Sequence, residues 1–179
     1  MMCGGLTMYS PLVRNGAAPG KKVGIIGLGG LGHFGVLFAK ALGCEVYVFS
    51  HSARKQQDAL KMGADHFIVS EDKENMTRLR GTLDLIISTV DVVDTFPLVD
   101  YLKHQTSCDF CFRFALQWVQ IGGSAIGSKK EAIEMLELAA KANVKPWIEI
   151  FPMSKLKEAT ESMKAGNARY RFVLQQDIA

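Results

Sequence analysis

The chain has 179 residues, of which 48% are hydrophobic and 22% are charged, and its formal net charge at pH 7 is +3. That composition is typical of a globular domain with its own core, and the small, scattered charge argues against nucleic-acid and membrane-surface partners. No apolar run approaches the ~20 residues that span a bilayer, and the N-terminus lacks the basic start of a signal peptide. We therefore expect a cytoplasmic protein with no nucleic-acid partner and no membrane partner.

Short apolar segments alternate with helical patterns along the chain. The predicted strands are Lys22–Ile26, Glu45–Phe49, His66–Val69, Leu83–Thr89, Trp118–Ala125, Trp147–Ile150 and Tyr170–Leu174. The predicted helices are Leu31–Leu42, Ser52–Met62, Val93–Leu102, Lys129–Ala142 and Ser154–Ala165. In the Lys129–Ala142 helix, Ile133, Leu136 and Ala140 are expected to form the apolar face. Strands that alternate with helices predict an α/β fold, a Rossmann-type doubly wound parallel sheet with helices on both faces.

A glycine-rich turn follows the first predicted strand and opens the next helix. Its residues fit the pattern G-x-G-x-x-G, and all are candidate cofactor contacts: Gly27, Leu28, Gly29, Gly30, Leu31 and Gly32. Gly27 permits the tight turn, Gly29 lets a pyrophosphate approach the backbone, and Gly32 lets the helix pack closely on the strand. The phosphates would lie at the helix N-terminus, where free N–H groups and the dipole favour anions. The motif in this setting predicts dinucleotide binding rather than a plain glycine-rich turn.

The end of the second predicted strand indicates which dinucleotide binds. Sites for NAD place an Asp or Glu there to bind the ribose 2′-hydroxyl. The corresponding residues here include no acid before Asp58, and they are Ser50, His51, Ser52, Ala53, Arg54 and Lys55. Hydroxyls and cations would hold a 2′-phosphate, and cations in a first helical turn oppose the helix dipole. The segment therefore favours NADP over NAD, and a merely solvated first turn is the alternative.

Several longer stretches resemble one known family. They are CGGLTMYSPLVRNG, PGKKVGIIGLGGLGHFGVLFAKALG and KMGAD, followed near the C-terminus by GSAIGSKKE, WIEIFPM and ARYRFVL. Together they resemble the zinc-dependent medium-chain alcohol dehydrogenases, and among these the cinnamyl-alcohol dehydrogenase-like branch. The resemblance implies an enzyme that interconverts small-molecule alcohols and aldehydes with NADP(H) and a catalytic zinc.

The resemblance also implies roles for residues outside the two motifs. Cys3 matches a ligand of the catalytic zinc, and Thr7 matches a cofactor contact near the nicotinamide. Arg169 matches a basic residue near the pyrophosphate. The remaining matches are nicotinamide-side contacts: Thr89, Ser124, Ala125 and Ile126.

The resemblance further divides the chain into three parts. Residues 1–20 match the remnant of an interdomain helix, residues 21–145 an NADP-binding Rossmann domain, and residues 146–179 a segment that returns to a catalytic domain. The strand predicted at Trp118–Ala125 matches an edge that the family uses for dimerisation. A homodimer is therefore the expected assembly.

The sequence departs from the family where the catalytic lobe should be. That lobe precedes the cofactor lobe and supplies the other zinc ligands, and it has no counterpart in this sequence. Cys3 alone cannot make a catalytic zinc site, which needs about three protein ligands. We therefore expect an NADP-dependent alcohol dehydrogenase reduced to its cofactor-binding lobe, with zinc binding in doubt. A non-catalytic NADP-binding module and a non-functional fragment remain the alternatives.

Three further predictions concern the stretch HQTSCDFCFRF, His33 and the last two strands. The stretch HQTSCDFCFRF replaces the family's glycine turn and buried fifth strand, and its cysteines, Cys108 and Cys111, are interpreted as an accidental pair rather than a metal or redox site. His33 is expected on a helix surface. The strands at Trp147–Ile150 and Tyr170–Leu174 are expected to lack partners, which would expose apolar side chains: Ile148, Ile150, Phe172 and Leu174.

Overall fold

A computed structural model describes residues 1–90 and 122–178 of the chain. Its helices are α1 Met2–Arg14, α2 Gly32–Ala41, α3 Gln56–Lys61, α4 Lys73–Arg78, α5 Lys129–Lys141 and α6 Leu156–Lys164. Its strands are β1 Lys22–Ile26, β2 Glu45–Ser50, β3 His66–Val69, β4 Leu85–Ser88, β5 Ile148–Pro152 and β6 Arg171–Gln175. The predictions at Val93–Leu102, at residues 104–114 and over most of Trp118–Ala125 lie outside the described residues, and residues 122–125 form no strand.

Four strands form one parallel sheet in the order β3-β2-β1-β4. Lys22 pairs with Glu45 across β1 and β2, and Val23 pairs with Leu85 across β1 and β4. The chain thus steps outward from β1 to β2 and β3, and then returns to the other side of β1. Such a reversal of strand order opens a crevice at the carboxyl ends of the strands, where α/β proteins bind ligands. The predicted α/β fold with a parallel sheet is confirmed.

Hydrophobic clusters cover both faces of this sheet. Val23 and Ile25 of β1 are fully buried in a cluster that includes Phe34 and Phe38 of α2. Ile26 belongs to a second cluster on the other face. The clusters separate because successive strand side chains point to opposite faces. Two apolar layers around one sheet fix the positions of the loops at its carboxyl edge.

The helix α5 buries a different face from the one predicted. Ile133 and Leu136 are 49% and 43% exposed, and Ala140 is exposed as well. The residues that are buried lie four apart: Glu131, Met135 and Ala139. The apolar pattern gave the wrong face because it counts Glu131 as a surface residue, whereas Arg14 and Ser10 of α1 bind its carboxylate and orient the helix.

The last strands differ from expectation in their pairing. β5 and β6 pair with each other in parallel, with Ile148 opposite Arg171. Phe172 and Leu174 are half-buried rather than exposed, and the Phe172 ring packs on Phe151 at 4.8 Å between centroids. Ile148 and Ile150 are exposed as predicted. Mutual pairing satisfies the backbone groups along the edge that β5 and β6 share.

The short helix α4 was not predicted, and the helix predicted at Ser52–Met62 begins with a 3₁₀ turn at Ala53–Lys55. Within residues 1–90 and 122–178, no helix is both long enough and apolar enough to cross a membrane.

Candidate cofactor-binding site

A cleft of about 560 Å³ opens at the carboxyl ends of the central strands. The residues predicted from the two motifs that line it are Gly27, Leu28, Gly29, Gly30, Leu31, Ser50, His51, Ser52, Arg54 and Lys55, together with Thr89. Sequence reasoning missed four other lining residues: Ile26, Phe49, Ser70 and Val90. The fold therefore brings the glycine-rich turn and the end of β2 together around one cavity.

The geometry of the turn requires glycine at positions 27 and 32 but leaves the backbone at position 29 open. Gly27 has φ +86, and a Cβ there would lie 2.6 Å from the Val90 side chain. A Cβ on Gly32 would lie 1.8 Å from the carbonyl oxygen of Gly27, so only glycine allows the helix to start this close to the strand. A Cβ on Gly29 would have no atom of residues 1–90 or 122–178 within 4 Å. The backbone at Gly29 is thus open to a ligand, directly before the N-terminus of α2.

Thr89 holds the other side of the turn. Its hydroxyl donates to the carbonyls of Ile26 at 2.9 Å and Gly27 at 3.1 Å. Its backbone N–H also donates to Ile26 at 2.9 Å. These bonds fix the end of β4 against the glycine-rich turn.

The end of β2 makes the other wall of the cleft positive. Lys55 Nζ donates to the carbonyl of Leu28 at 2.7 Å, and Arg54 Nη2 lies 3.5 Å from the carbonyl of Gly166. Burial lowers the pKa of the Lys55 ammonium, and the nearby cations of Arg169 and Arg54 lower it further. Cations packed this closely favour an anionic ligand, which would reduce their mutual repulsion.

Other predicted site residues lie outside this cleft. The Thr7 hydroxyl donates to the carbonyl of Cys3 at 2.8 Å, and Ser124 donates to the carbonyl of Ala125 at 3.3 Å. Ile126 is 56% exposed. None of these five residues lines the cleft.

Arg169 and Ala53 line a neighbouring groove of about 420 Å³. Arg169 Nη1 pairs there with Asp58 at 3.3 Å. Arg171, rather than Arg169, is the arginine that approaches the turn, because a Cβ on Gly30 would lie 3.3 Å from its Cδ and 3.5 Å from its Nη1. Both arginines belong to the stretch ARYRFVL, and sequence reasoning singled out the first rather than the second.

His33 is buried, not on the surface as predicted. Its exposure is 0%, and neither ring nitrogen makes a hydrogen bond of normal geometry within the described residues. Burial lowers the pKa of His33 to about 4, although the nearby carbonyls of Gly29 and Gly30 oppose this. The ring stacks on Tyr170, at 5.6 Å between centroids and 17° between planes. Because Tyr170 is distant in sequence, a local sequence pattern could not predict that His33 is buried.

A buried carboxylate connects α1 with the segment before α5. Glu131 accepts from Arg14 at 2.6 and 2.8 Å and from Ser10 at 3.0 Å. It also accepts from the backbone of Ser128 at 2.6 Å and thereby completes a capping box. Arg14 holds the pKa of this carboxyl well below its usual range, and Ser128 and Ser10 add to the effect. The network fixes the N-terminus of α5 on α1.

The described residues do not assemble a metal site. Within residues 1–90 and 122–178, no group of three or more His, Cys, Asp or Glu side chains could hold a metal ion. Cys3 is an exposed free thiol on α1. The described donors around Cys3 therefore do not fit a zinc ion.

Comparison with known proteins gives consistent matches. A family model described as zinc-binding dehydrogenase matches residues 30–105. The chain is 42% identical, over 97% of its length, to NADP-dependent alcohol dehydrogenase 6 of Saccharomyces cerevisiae. The fold matches a cinnamyl alcohol dehydrogenase from Sorghum bicolor with a TM-score of 0.86 and 36% identity over 96% of this chain. It also matches a cinnamyl alcohol dehydrogenase from Helicobacter pylori complexed with NADP(H), with a TM-score of 0.78 and 33% identity over 96% of this chain.

These matches extend over only part of the other proteins. The shares covered are 53% of the yeast protein, 53% of the sorghum structure and 52% of the Helicobacter structure. The chain thus spans about half the length of the curated relatives it matches.

Proposed function

Because this chain belongs to the zinc-binding dehydrogenase family, among relatives that include NADP-dependent and cinnamyl alcohol dehydrogenases, we propose that its cleft binds NADP(H). The observation that supports this most is the single cavity shared by the glycine-rich turn and the acid-free end of β2. When bound, the dinucleotide supplies the hydride acceptor or donor for an alcohol–aldehyde conversion.

Each part of the cleft has a role in binding. The backbone at Gly29 and the N-terminus of α2 receive the pyrophosphate, and the Arg171 guanidinium beside Gly30 adds a positive charge. Ser50, Ser52 and Lys55 receive the 2′-phosphate, with His51 and Arg54 at the rim. We propose that Thr89, which is fixed on the turn, meets the nicotinamide half of the cofactor.

The wider activity is also a proposal. We propose that the chain provides the NADP(H)-binding lobe of a zinc-family alcohol dehydrogenase or aldehyde reductase acting on a small-molecule alcohol or aldehyde. Thr7, Ser124, Ala125 and Ile126 would then face the nicotinamide, Arg169 would lie near the pyrophosphate, and Cys3 would be one zinc ligand. The described residues do not by themselves fit a zinc ion. This proposal also includes the division of the chain into three parts at residues 20 and 145, the homodimer and the cytoplasmic location.

A non-catalytic NADP-binding module is the second candidate. It is favoured because the residues that line the cleft belong mostly to the glycine-rich turn and the end of β2, both of which are predicted to contact the cofactor. Cys3, the predicted zinc ligand, is exposed on α1 instead. Turnover distinguishes a chain that is active as an enzyme on its own from either a module or an isolated lobe. Purified chain with added zinc, NADPH and cinnamaldehyde should oxidise no NADPH if it is a module or an isolated lobe. Turnover that is lost in a Cys3→Ser variant would favour the enzyme instead.

Cofactor preference tests the proposal common to both candidates. Fluorescence titration should show tighter binding of NADPH than of NADH. Lys55→Ala should weaken NADPH by about tenfold to a hundredfold, because a charge-assisted bond contributes about 1.5–3 kcal/mol, and it should leave NADH nearly unchanged. Lys61→Ala on the exposed end of α3 is the matched control and should change neither. Equal affinities for the two cofactors in the wild type would refute the assignment.

A further inference from the structure

The ammonium group of Lys55 is held from two directions. Its Nζ donates to the carbonyl of Leu28 at 2.7 Å, and it lies 5.2 Å from the centroid of the Tyr170 ring. The first contact belongs to the glycine-rich turn and the second to the segment that leads into β6. The Lys55 side chain therefore bridges the end of β2, the turn and the C-terminal part of the chain.

Tyr170 is itself fixed on all the sides that the structure describes. It is 3% exposed, and its hydroxyl donates to Asp58 Oδ2 at 2.7 Å. Its ring stacks on His33 at 5.6 Å and meets the Trp147 ring edge-on at 6.1 Å. A ring confined in this way offers a rigid surface for a cation.

Asp58 is the first acid after β2, and its charge would repel a 2′-phosphate if it were free. The same oxygen that accepts from Tyr170 also pairs with Arg169 Nη1 at 3.3 Å. The positive charge of Arg169 thereby offsets the negative charge of the Asp58 carboxylate, and the carboxylate anchors the Tyr170 ring. This arrangement explains how an acid is tolerated at one turn's distance from Lys55.

We propose that Tyr170, anchored by Asp58, is a positioning residue that determines cofactor specificity by holding the Lys55 ammonium where a 2′-phosphate binds. The inference rests on the proposed function. A lysine side chain is long and flexible, so ordering it on binding weakens the complex, and a side chain that is ordered beforehand avoids that loss. NADH has no 2′-phosphate and does not need the charge. Tyr170 should therefore affect the preference between the cofactors rather than dinucleotide binding in general.

The test compares two substitutions at this residue. Tyr170→Leu removes the ring and should weaken NADPH about five- to tenfold, in the range of a lost cation–π contact, with NADH unchanged within about twofold. Tyr170→Phe keeps the ring, removes the bond to Asp58 and should give a smaller loss of the same selective kind. Tyr47→Phe is the matched control, since Tyr47 is also buried and donates to a carboxylate, Glu45 at 2.5 Å, at the opposite end of β2. It should leave both affinities unchanged.

A second readout needs no cofactor. In an NMR spectrum, the ε-methylene protons of Lys55 should show a ring-current shift that Tyr170→Phe retains and Tyr170→Leu abolishes, and the same spectra report whether each variant is folded. Loss of NADPH and NADH affinity by equal factors in a folded Tyr170→Leu variant would overturn the inference. So would a variant that keeps the full NADPH preference of the wild type. A wild type without any NADPH preference would overturn the proposed function first, and this role of Tyr170 with it.

Discussion

The guanidinium of Arg14 donates two hydrogen bonds to the carboxylate of Glu131, at 2.6 and 2.8 Å, across 117 residues of sequence. The pair joins α1 to α5 and holds the pKa of Glu131 below its ordinary value of 4.5. Because the folded-state pKa is the lower one, the unfolded chain takes up the proton more readily. The stabilisation is therefore complete above about pH 5 and is lost as the pH falls below the unfolded value.

Glu131→Gln should lower the thermal unfolding temperature at pH 7. The further decrease of that temperature between pH 5 and pH 3 should be smaller in the variant than in the wild type. The measurement is thermal unfolding followed by circular dichroism over that pH range. Glu137→Gln, at an exposed position of the same helix, is the control and should behave as the wild type does. An unchanged acid limb in the Glu131→Gln protein would contradict the assignment.

Substitutions at Gly29 and Gly32 should affect cofactor binding and stability differently. Gly29→Ala adds a methyl group into open space, so stability should change by no more than about 1 kcal/mol, yet NADPH and NADH should both bind about tenfold more weakly. Gly32→Ala places its Cβ against the Gly27 carbonyl and should lose about 2 kcal/mol or more. Urea unfolding and cofactor titration of the two variants give the comparison. A Gly32→Ala protein as stable as the wild type would show that the turn is not packed as described.

His33 should contribute a pH dependence of its own. Its pKa falls from 6.5 to about 4 on folding, so stability should be full above pH 6.5 and decrease as the pH falls towards 4. His33→Leu removes ring nitrogens that have no partner among the described residues, and it should keep stability at pH 7 within about 1 kcal/mol while flattening the decrease. Urea unfolding at pH 7 and pH 5 measures both effects. His66→Leu at an exposed site is the control, and a His33→Leu protein with the wild-type pH profile would refute the prediction.

Exposed apolar side chains on β5 and β6 should promote self-association. Ile148, Ile150 and Val173 are 43%, 62% and 42% exposed on neighbouring strands. Contiguous apolar surface of this kind favours association. Sedimentation velocity at several concentrations should show species larger than a monomer. Ile150→Lys should reduce them, whereas Leu60→Lys, at an exposed position on α3, should not. A stable monomer at every concentration would contradict this expectation and the homodimer.

The sequence allowed the local parts of this structure to be predicted. Strands such as Lys22–Ile26 and His66–Val69 match to the residue, because an apolar run ends at a polar or glycine boundary. The two motifs of the cleft were found for a similar reason: each lies within a few consecutive residues. The resemblance to the zinc-binding dehydrogenases is confirmed by relatives matched over 97% of the chain.

Contacts between distant segments could not be predicted in the same way. Ser70 and Val90 reach the cleft only because the strand order places their strands beside β2 and β1. The Glu131 carboxylate binds Arg14 of α1, and the His33 ring stacks on Tyr170, which is 137 positions later in the chain. No pattern in a short window contains these pairs, so the helix face and the histidine environment were predicted wrongly.

The central claim is that the end of β2 recognises a 2′-phosphate. Isothermal titration of the wild-type chain with 2′-phospho-ADP-ribose and with ADP-ribose tests it most directly, since the two ligands differ only in that group and neither carries nicotinamide. We expect the phosphorylated ligand to bind at least about tenfold more tightly, and the difference to shrink as salt screens Lys55 and Arg54. Equal affinities, or a preference for ADP-ribose, would contradict the account.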